Sequence, residues 1–183
     1  LFDGGSAMDK QTGWLAGVAR VARSALAVLG AVGLVGACDL QNIAELEPGV
    51  STEADVKDKF GQPEAVWDGE DGAQVYEYNR QPEGVVNYMI TIGPDGKLVG
   101  IAQVLTEANF DRVQPGMPME QVRRMLGKPR KVTTYALKKE THYDWRYQPQ
   151  SSTEMWIFSA VFNTDMRVVN TLRMPDPDIQ NRR

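Results

Sequence analysis

One stretch of this chain is written twice, 67 residues apart. The first copy opens with Ile43-Ala44-Glu45-Leu46-Glu47-Pro48-Gly49-Val50, passes Val56 and Phe60, and closes on Gly61-Gln62-Pro63. The second opens with Phe110-Asp111-Arg112-Val113-Gln114-Pro115-Gly116-Met117, passes Val122 and Leu126, and closes on Gly127-Lys128-Pro129. Tyr76-Glu77-Tyr78 maps onto Tyr143-Asp144-Trp145, and Gln81-Pro82 onto Gln148-Pro149, at the same offset. The second copy is one residue shorter between its opening and closing motifs, and the helix predicted there takes up the difference. Repetition at a fixed spacing constrains the fold more than any single motif, because both copies must adopt one shape. The chain is expected to hold two tandem copies of one small module.

Each copy carries the signals of a short helix followed by strands. Thr52, with Asp55 three residues on, has the spacing of a capping box. Val56 and Phe60 then share a face, while Lys57, Asp58 and Lys59 take the wet side. Gly61 ends the helix and Pro63 prevents its continuation. In the second copy Pro118 opens the helix, Met119, Val122 and Leu126 point inward, and Gly127 and Pro129 close it. Strands are predicted over 64–67, 74–79, 85–92 and 98–105, and again over 131–137, 141–147, 154–163 and 168–174. The breaks at 68–72 and 93–96 are rich in residues that accept turns, and Tyr88, Ile90 and Ile92 alternate with Asn87, Met89 and Thr91 as a sheet with one packed and one more open face requires. The fold class is α+β: two tandem modules, each with short helices packed on an antiparallel β-meander. The predicted boundaries are a leader at 1–37, modules at 38–106 and 107–174, and a tail at 175–183. The tail has two prolines and no apolar face, and is expected to be disordered.

Composition narrows the functional classes. A net charge of -4 without a basic run argues against nucleic-acid binding. One cysteine and one histidine exclude an internal disulfide and the usual tetrahedral metal sites, so no cofactor is expected.

The single cysteine has a particular setting. Met8 is the more natural start, and residues 1–7 read as a tag remnant or an over-extended start. Lys10, Arg20 and Arg23 precede an uncharged run at 24–37, the pattern of an export signal. The run is shorter than the roughly 20 residues that cross a bilayer. It ends in Val35-Gly36-Ala37-Cys38, which resembles the bacterial lipobox, with a departure at Gly36. That resemblance implies cleavage before Cys38 and lipidation of its thiol, and several acyl chains would anchor the chain firmly where one is marginal. The competing reading is a plain secretory signal, or a buried helix with an incidental cysteine. Asp39 follows directly; in enteric bacteria an aspartate there tends to retain a lipoprotein in the inner membrane, whereas the leading expectation is the periplasmic face of the outer membrane.

With the lipobox, the apolar-x-x-apolar-x-x-Gly element and a short helix closing on Gly-x-Pro, the chain resembles the SmpA/OmlA (BamE-like) lipoprotein family. Phe110–Met117 and 126–129 match most closely, and Glu47–Val50 and 60–63 are the looser copy. The resemblance implies an ααβββ module and a non-enzymatic role in outer-membrane β-barrel assembly. Its implied partners are other barrel-assembly lipoproteins or an outer-membrane barrel protein, with the membrane reached through Cys38. A family member of the usual kind has one such module, and this chain has two. Tandem modules of similar shape occur in the secreted β-lactamase inhibitor proteins, which implies an alternative role of inhibiting or sequestering an envelope enzyme.

No Ser-His-Asp or Cys-His set can be assembled from a lipidated Cys38 and the lone His142. His142 aligns with Val75 inside a strand and reads as structural. Asp68, Glu70 and Asp71 crowd one turn but lack the ligand spacing of a calcium loop. Trp67, Tyr76, Tyr78, Tyr88, Tyr135, Tyr143, Trp145, Tyr147 and Trp156 either line the core beneath the helices or form a face that grips a partner. The binding residues stay unassigned, and no enzymatic activity is expected.

Overall fold

The computed structural model describes residues 34–180. The readings made on residues 1–33 lie outside the described residues, as does the side chain of Cys38. The chain divides at Leu40, and apart from the first turns of α1 (Leu34–Ala44) all that follows concerns the unit Gln41–Arg183.

After α1, α2 (Glu53–Phe60) leads into β1 (Ala65–Asp68), β2 (Gln74–Asn79), β3 (Asn87–Ile92) and β4 (Leu98–Gln103). Two further helices, α3 (Glu107–Asp111) and α4 (Met119–Leu126), precede β5 (Lys131–Tyr135), β6 (Glu140–Tyr147), β7 (Trp156–Phe162) and β8 (Val168–Pro175), and α5 (Pro177–Gln180) ends the described chain. The strands form two four-stranded sheets in sequence order, β1-β2-β3-β4 and β5-β6-β7-β8, and every pairing is antiparallel. The fold is thus α+β with two tandem meanders, and each has four strands where the family resemblance implied three.

The repeat extends to single hydrogen bonds. The Gly49 N–H reaches the Leu98 carbonyl at 2.8 Å, and the Gly116 N–H reaches the Val168 carbonyl at 2.8 Å. The Glu64 N–H donates to Glu77 O at 2.8 Å, as Arg130 N–H donates to Asp144 O at 2.8 Å. Both helices end on a glycine of near-identical backbone, Gly61 at φ 81°, ψ -162° and Gly127 at φ 77°, ψ -171°. Over each glycine carbonyl an aromatic of the second strand donates: Tyr78 OH to Gly61 O at 3.1 Å, and Trp145 Nε1 to Gly127 O at 3.0 Å.

Two details differ from the sequence reading. The helices α2 and α4 are equally long, at eight residues, so the missing residue lies in the turn before α4 and not in the helix. There Thr52 caps α2 through a complete capping box, while the N-cap of α4 is Pro118, which offers no side-chain bond. The offset also grows from 67 to 70 after β6, since Asn79 faces Asn87 but Arg146 faces Ile157. The β6–β7 connection carries the extra three residues.

Each sheet buries its helix-facing side in its own core. In the first, Phe60 of α2 packs on Tyr78 and Tyr88 with ring centroids 5.2 and 5.8 Å away, beside Val56, Ile90 and Leu98. In the second, Phe110 of α3 stacks on Phe158 at 4.2 Å and meets Tyr147 edge-on at 4.7 Å, beside Val122, Leu126 and Trp145. The aromatic rows are therefore core for the most part, as strand alternation allows. The predicted disordered tail is ordered through residue 180. Asp176 is 1% exposed and its carboxylate accepts the Asp178 N–H at 3.0 Å, starting α5. It stands 70 residues after Thr106, which caps α3 by accepting the Asn109 N–H. Charge pairing holds this segment where apolar patterning gives no signal.

Burial pushes the Tyr78 hydroxyl up to about 12, against an ordinary tyrosine value near 10. The native state thus holds that proton more tightly than the unfolded chain. Its stabilising contribution is complete below pH ~10 and fades as the pH climbs through ~12. In urea titrations at stepped pH, Tyr78→Phe should cost about 1 kcal/mol near neutrality, the lost bond to Gly61. The same variant should show a shallower decline of stability between pH ~10 and ~12 than the parent.

Candidate functional site

Alternation along β2 turns Glu77 away from Tyr76 and Tyr78, onto the face opposite the first module's helices. On a solvated sheet that carboxylate would be wet. Here it is 0% exposed, because the end of α4 lies on this outer face. Oε1 of Glu77 accepts the Arg123 guanidinium at 3.0 Å and the Lys128 backbone N–H at 2.6 Å, while Oε2 accepts Trp67 Nε1 at 3.3 Å. The Arg124 guanidinium lies 5.0 Å over the Trp67 ring, within cation–π range. Trp67 is thus the aromatic that leaves the core to serve the junction.

Asn87, also 0% exposed, completes the seam. Its Nδ2 donates to Leu126 O at 2.8 Å and to Lys128 O at 3.2 Å, and its Oδ1 accepts the Arg80 N–H at 3.2 Å. The carbonyls at the end of α4 lack partners within the helix, and a side-chain amide from the other module supplies them. A third contact uses the side chain of Gln81 as a length of strand. β5 pairs β6 only as far as Asp144, and beyond it the Arg146 N–H donates to Gln81 Oε1 at 3.1 Å while Gln81 Nε2 donates to Arg146 O at 2.8 Å.

A second charged cluster closes the C-terminal end. Asp176 accepts Arg146 Nε at 2.5 Å and Arg130 at 3.4 Å, and Arg130 also pairs with Asp178. The hydrogen bond and charge of Arg130 hold the Asp178 carboxyl below the usual carboxylate range. These ion pairs are occupied by one another and anchor the segment.

The residues singled out from the sequence are scattered. His142 lies in β6 with Nε2 3.2 Å from Glu140 and its ring edge against Tyr135, a structural setting. Asp68 ends β1, Glu70 and Asp71 sit in a 3-10 turn, and among the described residues no three metal-binding side chains come together. Cys38 falls within α1. A groove of about 220 Å³ borders Gln103, Leu105, Tyr147, Gln148 and Pro149, with Glu107 its one carboxylate. The junction residues Glu77, Gln81 and Asn87 escaped the sequence reading. Glu77 and Gln81 lay inside the repeated motifs, yet nothing in one sequence marks an acid on an outward position as buried.

No protein-family profile matches the chain, and no curated protein does. Among solved structures it is similar to a DUF4309 family protein, YjgB, from Bacillus subtilis subsp. subtilis strain 168, at 22% identity and TM-score 0.27, over 72% of this chain and 83% of that one. It is also similar to a candidate beta-lactamase inhibitor protein from Streptococcus mutans, at 10% identity and TM-score 0.32, over 76% of this chain and 97% of that one.

The two glycine caps form an internal control for the seam. A Cβ at Gly61 would meet nothing within 4 Å, whereas at Gly127 it would stand 2.9 Å from Asn87 Nδ2 and 3.3 Å from Glu77 Oε1. Both positions combine positive φ with extended ψ, a region open essentially to glycine alone, so Gly61→Ala should cost about 1–3 kcal/mol in backbone strain alone. Gly127→Ala should lose about 1–3 kcal/mol more through the displaced seam. Urea denaturation of the two variants measures the difference, and equal losses would show that the seam is not tight.

Proposed function

We propose that this chain is a non-enzymatic, protein-binding module of the bacterial cell envelope, held at the membrane by lipid on Cys38. The observation that carries the reading is the seam itself. Buried polar bonds fix the two modules into one binding body, and the ionisable clusters among the described residues are occupied in holding it together. Such a body presents a surface and does no chemistry. The anchor rests on Val35-Gly36-Ala37-Cys38, and no helix among the described residues is long and apolar enough to cross a membrane.

Within this class the repeated Gly-x-Pro module supports a place beside the lipoproteins and barrels of outer-membrane assembly. The tandem arrangement supports the alternative, a periplasm-facing binder that inhibits or sequesters an envelope enzyme. Asp39 keeps the inner membrane open as the site of anchoring. Affinity capture of the lipidated chain from detergent-solubilised membranes, with mass spectrometry of what accompanies it, separates the two. Barrel-assembly components in the eluate support the first reading, and one soluble envelope enzyme supports the second. Cys38→Ala should abolish labelling by radioactive palmitate and move the chain from the detergent to the aqueous phase on partition; unchanged labelling would remove the anchor from the proposal.

A further inference from the structure

The module has two mating surfaces, and within the chain only one of each is used. The outer face of the first sheet takes the end of α4. The outer face of the second sheet and the end of α2 are their repeats. Register, the 67-residue repeat and the Val104 N–H bond to Asn87 O give the correspondence: Asp144 stands for Glu77, Gln148 for Gln81 and Met174 for Val104. At these positions the second face is more open than the first, although Ile157, Ser159 and Val161 of β7 on that face are 5, 3 and 3% exposed. Val104 is 6% exposed and Met174 40%, Gln81 is buried and Gln148 exposed, and Asp144 is only half-buried. The Asp144 carboxylate accepts the Ser159 hydroxyl at 2.6 Å and, among the described residues, forms no ion pair.

The complementary end of α2 is also accessible. Lys57 stands for Arg123, and the exposed Gly61 and Gln62 stand for Gly127 and Lys128, with the matching cap geometry already noted. Lys57 now pairs with Glu53 one turn back, an i,i+4 pair near the surface and easily exchanged. A cation and a backbone N–H at the end of one helix therefore match a carboxylate on a sheet face elsewhere in the same chain. We propose that the outer face of the second sheet binds the α2 end of a second copy of this chain, head to tail, repeating between copies the joint that α4 makes within one.

Two differences set the strength of that joint. Ile157 replaces Asn87, so the face has no amide to receive helix carbonyls. α5 occupies the position that the first helix of the incoming copy would take in strict repetition, since it follows β8 as α3 follows β4. It is held by the exposed Asp178 on Arg130 and, at its start, by the buried Asp176 on Arg130 and Arg146. The joint between copies is accordingly weaker than the one within the chain, and α5 must yield for it to form. This inference is independent of which envelope protein the module binds, since it concerns copies of the chain alone.

Sedimentation velocity on the full chain in density-matched detergent tests it. A head-to-tail joint is heterologous and does not close, so the average mass should climb steadily with concentration instead of stopping at a dimer. Asp144→Lys and Lys57→Ala should each hold the chain monomeric with an unchanged circular dichroism spectrum. An equal mixture of the two should give a heterodimer and nothing larger, because only one competent face and one competent helix end remain. Asp178→Lys, which removes one of the ties on α5, should strengthen association severalfold. A wild-type chain that is monomeric throughout, a closed dimer indifferent to Asp144→Lys, or a mixture that forms no heterodimer would each overturn the proposal.

Discussion

Glu77 is a carboxylate with no exposed surface, and the arrangement of the molecule depends on how its charge is met. Taking such a group out of water costs several kcal/mol, repaid only when geometry and additional hydrogen bonds are good. Here the guanidinium of Arg123, the N–H of Lys128 and the indole of Trp67 converge on it from both modules. Any other placing of the second module would leave the charge buried and unmatched, or would have to hydrate it. Non-directional apolar contact tolerates sliding between surfaces. A carboxylate with fixed donors does not, and that is how one residue sets the pose of two domains.

The seam is polar, and the apolar clusters lie to either side of it without merging. Each module thus has a core of its own, which fits the origin of both from one pattern. What had to be new was the joint. The second copy supplies it with Arg123 where the first has Lys57, and with a lysine after its glycine cap. A planar guanidinium offers several donors in fixed directions, which suits a buried acceptor better than an ammonium does.

Much of the fold was legible because it rests on local rules. Alternation put Tyr76 with Tyr78, and Tyr143 with Trp145 and Tyr147, on shared faces, which the structure shows to be core, and the Gly-x-Pro motifs marked where α2 and α4 stop. The shorter second copy misled, since a count of residues cannot tell a helix from the turn before it; the capping box at Thr52 and its absence at Pro118 decide the matter. The tail misled because hydrophobicity is blind to order made by charge: Asp176 is fixed by Arg130 and Arg146, both distant in sequence. The seam was illegible for a related reason. Glu77 occupies a position that alternation assigns to water, and only docking removes that water.

Gln81 has a role that a hydrogen-bond count understates. β6 runs three residues past the end of its pairing with β5, and there its backbone would present a bare edge. Exposed edges recruit other strands and are a common start of aggregation. The amide of a single glutamine, carried by the other module, fills that opening. The first module is therefore a guard as well as a partner: cut loose, the second would keep its core and gain a sticky margin. Tandem duplication here supplies a chaperone in cis, present from the moment both copies have folded.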